Sequence, residues 1–243
     1  MLDQDAIECL VGLGMPEIIE VDGKPFVTKQ VHLPPGSGME SLHFNSLGGI
    51  AGYVTENRDG LDSTKHFLSV VAPDKVVLFG PCDAYGRRST PAVANAITAK
   101  GIAGMGSPAP REHFHIALAS LFAPGPDRED LLRLISEMKA TDIQTLEDDG
   151  LTQRVTVSGE LGVLRKDLVR PYWSLAPYAS FMEVEQVERK YLLRLATAGR
   201  GEVKEITVCL YEADGGLWRI EANGRIARWL KANIPETSFT VLY

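Results

Sequence analysis

Apolar residues recur along the chain with two spacings, the 3.6-residue period of helices and the two-residue period of strands. Ile7, Leu10 and Val11 stand at helical spacing behind Asp3, a natural N-cap, and before Gly12 and Gly14, which predicts a short helix over Asp3 to Leu13. Two β-prone runs, Glu17 to Val21 and Pro25 to Val31, flank Asp22-Gly23, the turn dipeptide of a two-residue hairpin. The stretch Leu33-Pro34-Pro35-Gly36-Ser37-Gly38 then interrupts regular structure. Behind Asn45 or Ser46, Leu47, Ile50, Ala51 and Val54 fall at i, i+3, i+4 and i+7, one apolar stripe of a helix that Asn57 to Gly60 should end. A second hairpin is expected from Phe67 to Ala72 and Val76 to Phe79, turning at Pro73-Asp74. The first 80 residues therefore read α-ββ-α-ββ.

From Gly80 to Pro110 glycine, alanine, proline and serine crowd without periodicity, as in a functional or interface loop. Ser107-Pro108 is expected to open a helix carrying Phe114, Ile116, Leu118 and Leu121, which Pro124-Gly125-Pro126 closes. A second helix begins at Pro126-Asp127, with Leu131, Leu134, Ile135 and Met138 as its buried stripe. A third hairpin is expected from Ile143 to Leu146 and Leu151 to Val157 around Asp148-Asp149-Gly150. Further strands are expected at Tyr191 to Ala196, Ile206 to Tyr211 and Leu217 to Glu221, the last two joined at Asp214-Gly215-Gly216. A closing helix, Gly224 to Ala232, places Ile226, Trp229 and Leu230 on one side. The pattern is that of an α+β protein, β-hairpins and antiparallel sheet with several packing helices. Three regions are expected: an N-terminal α+β region over 1–110, a helical pair over 111–142, and a C-terminal antiparallel β region with its closing helix over 143–243.

Composition narrows the function classes. A hydrophobic share of 44% and a charged share of 23% suffice for a buried core, so disorder is not the default. The net charge of −7, without basic blocks, argues against broad duplex binding, which needs lysines and arginines on phosphates. Cys9, Cys82 and Cys209 lie far apart with no C-x-x-C spacing, as in a reducing compartment rather than a disulfide scaffold. No apolar run approaches the roughly 20 residues of a membrane helix. The acidic opening Met1-Leu2-Asp3-Gln4-Asp5 lacks the basic region of a secretory signal, so export and membrane insertion are not expected.

The chemical motifs are sparse. In Glu112-His113-Phe114-His115 the histidines at i and i+2 point about 200° apart on a helix and cannot share a metal. His32, His43 and His66 stand near strands or loops, with no Asp or Glu spacing that defines a ligand set. Gly36-Ser37-Gly38 follows prolines rather than a strand, so it is a loop and not a nucleophile elbow. The glycines from Gly101 to Gly106 lack both the G-x-G-x-x-G order and a G-K-[ST]. No catalytic residue, metal site or cofactor is expected. The densest polar cluster is Asp83-Ala84-Tyr85-Gly86-Arg87-Arg88-Ser89-Thr90, where Tyr85, Arg87 and Arg88 could take a base and phosphates if they do not simply form a salt-bridged turn. In Arg170 to Tyr178, Tyr172, Trp173 and Tyr178 stand among two prolines, as rings of a subunit interface or as cover for a sheet edge.

The run Glu17-Ile18-Ile19-Glu20-Val21-Asp22-Gly23-Lys24-Pro25-Phe26-Val27 resembles the opening hairpin of the YfdQ-like prophage family of unknown function, with the form E-[IV]-x-x-[IV]-x-G-x-P-[FY]. The resemblance covers the first third of the chain and implies a phage or prophage protein of the bacterial host cytoplasm, with no catalytic residues to carry over. The expectation is a non-enzymatic homo-oligomer of ring or shell type, with Tyr172, Trp173 and Tyr178 in its contacts and no membrane partner. One alternative is a nucleic-acid-binding accessory of phage recombination or replication using Tyr85, Arg87 and Arg88. Another is a hydrolase with a site assembled from dispersed residues such as His66, Asp83 and His115.

Overall fold

The computed structural model describes residues 18–21, 24–27, 40–83, 86–98, 101–138, 143–148, 153–158, 164–198, 205–235 and 239–243. The chain divides into two compact units, Met1–Glu40 and Ser41–Tyr243. In the first, β1 (Ile18–Val21) pairs antiparallel with β2 (Lys24–Val27), Val21 opposite Lys24, as the Asp22-Gly23 turn signal predicts. The helix expected over Asp3 to Leu13 and the break at 33–38 lie outside the described residues.

The second unit is α+β. One sheet has five strands in the order β14-β4-β5-β6-β3, namely Thr240–Leu242, Phe67–Ala72, Lys75–Phe79, Ala92–Asn95 and Leu42–Phe44. The Phe67 and Lys75 strands form the expected hairpin, whereas the two edge strands run parallel to their neighbours. Helices α1 (Leu47–Glu56) and α4 (Trp218–Asn233) pack on one face. Between them Leu47, Ile50, Val54, Leu68, Leu78, Ile226 and Leu230 are sealed from water.

Helix α1 is capped both by its own sequence and by a distant residue. Ser46 Oγ accepts from Gly49 N at 3.1 Å, and Glu183 Oε1, from far along the chain, accepts from Leu47 N at 2.7 Å and Gly48 N at 3.2 Å. Three of the four amides that a helix start leaves without partners are thereby satisfied. Asn57 ends the helix in the left-handed region at φ 46°, and its side chain closes the next turn on Leu61 N and O.

A four-stranded sheet has the order β11-β12-β13-β7, namely Tyr172–Leu175, Arg189–Ala198, Glu205–Glu212 and Ala109–Pro110. Helices α2 (Arg111–Leu121) and α3 (Pro126–Glu137) pack against it. Phe114, Leu118, Leu131 and Ile135 meet Trp173, Leu175, Tyr191, Leu193, Ile206 and Val208 in a second core. A three-stranded sheet, β10-β9-β8, joins Leu164–Val169, Gln153–Ser158 and Ile143–Asp148 in antiparallel order. The hairpin around Asp148 is the one the sequence predicts.

Three expectations are corrected, and one segment given no element proves to be a strand. The segment Leu217 to Glu221 is the start of α4, not a strand, because helical spacing buries Trp218, Ala222 and Ile226 together. The Gly80 to Pro110 stretch contains β6, whose Ala92 and Ala94 are small enough to lie fully buried beneath α1, and also β7. Ile116 is exposed, and Ala117 takes its expected place in the buried stripe of α2. Tyr172 to Leu175 forms a regular strand because Pro171, at its start, still accepts from Leu193 N through its carbonyl, and Pro177 comes after its end. None of the described helices is long and apolar enough to cross a membrane.

Candidate functional site

The Tyr172 to Tyr178 segment is tied into the fold of its own chain. Trp173 is 5% exposed; its indole Nε1 donates to Arg170 O at 2.7 Å, and the Arg170 guanidinium lies 4.0 Å from the ring centroid. Arg170 is held by Asp127 at 2.8 Å, and Asp127 also accepts from Ser174 N at 2.6 Å. That contact plugs the outer edge of β11 from the first turn of α3. Burial alone would raise the Asp127 carboxyl, but the Ser174 amide and the Arg170 charge outweigh it and hold the group below the ordinary carboxylate value. Tyr172 is exposed, with the Lys190 ammonium 4.2 Å from its ring centroid, and Tyr178 is half-buried with its amide donating to Leu121 O. Of the three rings, Trp173 is thus part of the chain's own core, while Tyr172 is exposed to solvent.

Tyr85 lies outside the described residues. Arg87 and Arg88 sit on an arm where Cys82 bridges to Arg88 and Gly80 N donates to Ser89 O. Both side chains have local work. Arg87 Nε donates to Asp83 Oδ2 at 3.0 Å, whereas Arg88 Nη1 donates to Gly80 O at 3.0 Å with its guanidinium 5.3 Å from the Phe67 ring. The salt-bridged-turn reading describes this geometry, although both arginines remain exposed.

The residues of the hydrolase alternative each belong to a separate local network. His66 Nδ1 donates to Asp62 O at 2.9 Å, Asp83 holds Arg87, and His115 Nε2 lies 3.1 Å from Ser136 Oγ. The last pair lines a cleft of about 370 Å³ with Arg111, Glu112 and Ile135. Ser136 Oγ donates its hydrogen to Leu132 O at 2.7 Å, so the histidine nitrogen is the donor to the serine and does not draw off its proton. Among the described residues no group of three or more His, Cys, Asp or Glu could hold a metal ion.

Two features carry no motif. The first is the buried pair Arg189 and Tyr191 on β12. The Arg189 guanidinium stacks on Trp218 at 3.2 Å from the ring centroid, and Trp218 Nε1 donates to Glu212 Oε1 at 2.7 Å. Arg189 Nε and Tyr191 Oη are both buried without a hydrogen-bond partner. Burial pushes the Tyr191 hydroxyl up to about 12 and lowers the Arg189 value, with Glu212 and Asp214 opposing the second shift. Polarity alone does not reveal this cluster in the sequence, since its members are separated by strand and turn.

The second feature is an apolar surface. Leu217, Ile220 and Tyr243 are 69%, 71% and 70% exposed, and Leu242 is 48% exposed. Leu217, Ile220, Gly224, Arg228 and Lys231 share one side of α4 and its entry. Tyr243 lies on that side, within 3.9 Å of where a Gly224 Cβ would stand and 5.7 Å from the Lys231 ammonium. Reading Leu217 to Glu221 as a strand conceals this stripe, because only the helical period puts Leu217 and Ile220 together. In comparisons with known proteins the chain matches no family model, no curated protein and no solved structure.

Proposed function

We propose that this is a non-enzymatic protein that works as a homo-oligomer, of the phage type that the resemblance of residues 17–27 implies. The observation that carries the reading is the exposed set Leu217, Ile220 and Tyr243, with Leu242 exposed on the other face of the same edge strand. Single exposed apolar side chains are ordinary, but three large ones each about 70% open, grouped at one helix and the strand beside it, form the kind of patch that association buries. Tyr172 adds an aromatic face on the other sheet. The buried Trp173 and the Asp127 plug confine that contribution to the ring of Tyr172 and the exposed part of Tyr178. Light scattering on the size-exclusion peak tests the proposal: at micromolar concentration the particle is expected to be a whole-number multiple of the chain mass above one. A monomer there would refute it.

A second reading, a single-strand nucleic-acid accessory, draws on the exposure of Arg87 and Arg88 on the 80–89 arm. Binding would have to displace the Asp83 contact with Arg87, so the affinity should be weak and steeply dependent on salt. Fluorescence anisotropy with an oligothymidine at low salt, compared with Arg87→Ala/Arg88→Ala, separates the readings.

A further inference from the structure

Resting on the oligomer reading, we propose that two copies join through β14, edge to edge and antiparallel, so that the five-stranded sheets become one ten-stranded sheet across a twofold axis. Strand Thr240–Leu242 lies at the end of the sheet and has β4 as its strand partner among the described residues. Sheet edges are ordinarily guarded by proline, charge, a bulge or a covering side chain. The four-stranded sheet follows that rule at both ends: β7 carries Pro110, and Asp127 occupies Ser174 N on β11. Thr240-Val241-Leu242 has no such guard within it. At the opposite end of its own sheet, β3 lies beside α1, whose exposed positions Gly48, Gly52, Thr55 and Glu56 offer no large apolar side chain. Beside β14 lies the stripe of α4.

Burial fixes the register. Val241 faces the helix-covered core and Thr240 and Leu242 face away. Directly opposed residues of an antiparallel pair share a face, so only registers that set Val241 against a core-facing position keep both cores on one side. Val241 against Val241 of the second copy, with Thr240 against Leu242, pairs all three residues. The two α4 helices then lie on the same side of the joined sheet, each beside its own β14. A second copy suits this surface because the strand edge is self-complementary under one twofold, as an isologous interface requires.

The test uses the full chain. In a Cys9→Ser/Cys82→Ser background, the double variant Thr240→Cys/Leu242→Cys is expected to form a disulfide-linked dimer on mild oxidation, whereas Thr240→Cys alone should form much less, its partner lying on the diagonal. Separately, Ile220→Glu/Leu242→Lys, both at exposed positions, should lose the doubled mass in light scattering while keeping the wild-type circular dichroism and melting temperature. An oligomeric wild type that neither crosslinks at 240 and 242 nor responds to Ile220→Glu/Leu242→Lys would overturn this mode and leave the oligomer reading standing. A monomeric wild type would overturn both.

Discussion

Gln186 organises the loop that fastens the five-stranded sheet to the rest of its unit, and its replacement gives a stringent check on the hydrogen-bond reasoning. Its Oε1 accepts from Ala179 N at 3.1 Å, Ser180 N at 3.2 Å and Ser180 Oγ at 3.1 Å, and its Nε2 donates to Phe181 O at 3.1 Å and Val184 O at 3.3 Å. The side chain is buried, and the loop it closes delivers Phe181 and Val184 to the first core and Glu183 to the start of α1. Gln186→Leu keeps the volume and removes all five bonds, leaving two backbone amides, the Ser180 hydroxyl and the Val184 carbonyl to find new partners, while Phe181 O keeps Val184 N at 3.4 Å. At about 1 kcal/mol for each net bond, and more for a buried group left bare, the expected loss is about 4 kcal/mol. For a unit of this size each kcal/mol moves the midpoint by about 2–4 °C, so the melting temperature should fall by roughly 10 °C. Thermal unfolding followed by circular dichroism measures it. Gln186→Glu is the control: it preserves the three acceptor contacts, loses the two donations and buries a charge, so it too should destabilise. A Gln186→Leu protein melting within about 2 °C of wild type would show that the loop does not depend on this network.

Tyr191→Phe removes a buried hydroxyl that has no partner, and is expected to leave stability unchanged or raise it by about 1 kcal/mol in urea denaturation. Because the Tyr191 hydroxyl is pushed up to about 12, the folded state holds its proton more tightly than the unfolded chain; that stability is present below about pH 10 and is lost as pH rises toward 12. The phenylalanine variant should therefore lose less stability between pH 10 and 12, read by denaturant midpoints. Asp127 has the opposite sign, since its folded value is depressed: its contribution is present above the ordinary carboxylate range, near 4, and is lost as pH falls through the folded value. Asp127→Asn should flatten the acid limb of the stability profile while lowering stability at neutral pH, where Arg170 loses its partner. Gly104→Ala should cost at least about 2 kcal/mol in the same assay, because φ is +80° there and a Cβ would run into the Phe114 ring.

Wherever a segment's own side chains settle its structure, the sequence suffices. The stripe Leu47, Ile50, Ala51 and Val54 behind Ser46 specifies α1, and the turn chemistry of Asp22-Gly23 and Pro73-Asp74 specifies two hairpins. The α+β class follows from the same local signals. Edge strands of three residues such as Leu42–Phe44 and Thr240–Leu242 carry too few positions to show a period, and only pairing with β6 and β4 makes them strands. Leu217 to Glu221 alternates plausibly enough for β-structure, and it is the burial of Trp218 with Ala222 and Ile226 that selects a helix. Arg87 and Arg88 are conspicuous in the sequence, yet only the fold shows that Asp83 and Gly80 already engage them. Local geometry is legible in the sequence, because neighbours within a few residues decide it. Tertiary structure alone decided which groups lose water, because burial depends on chain brought from far away: it hid Trp173 and left Ile220 and Tyr243 in the open.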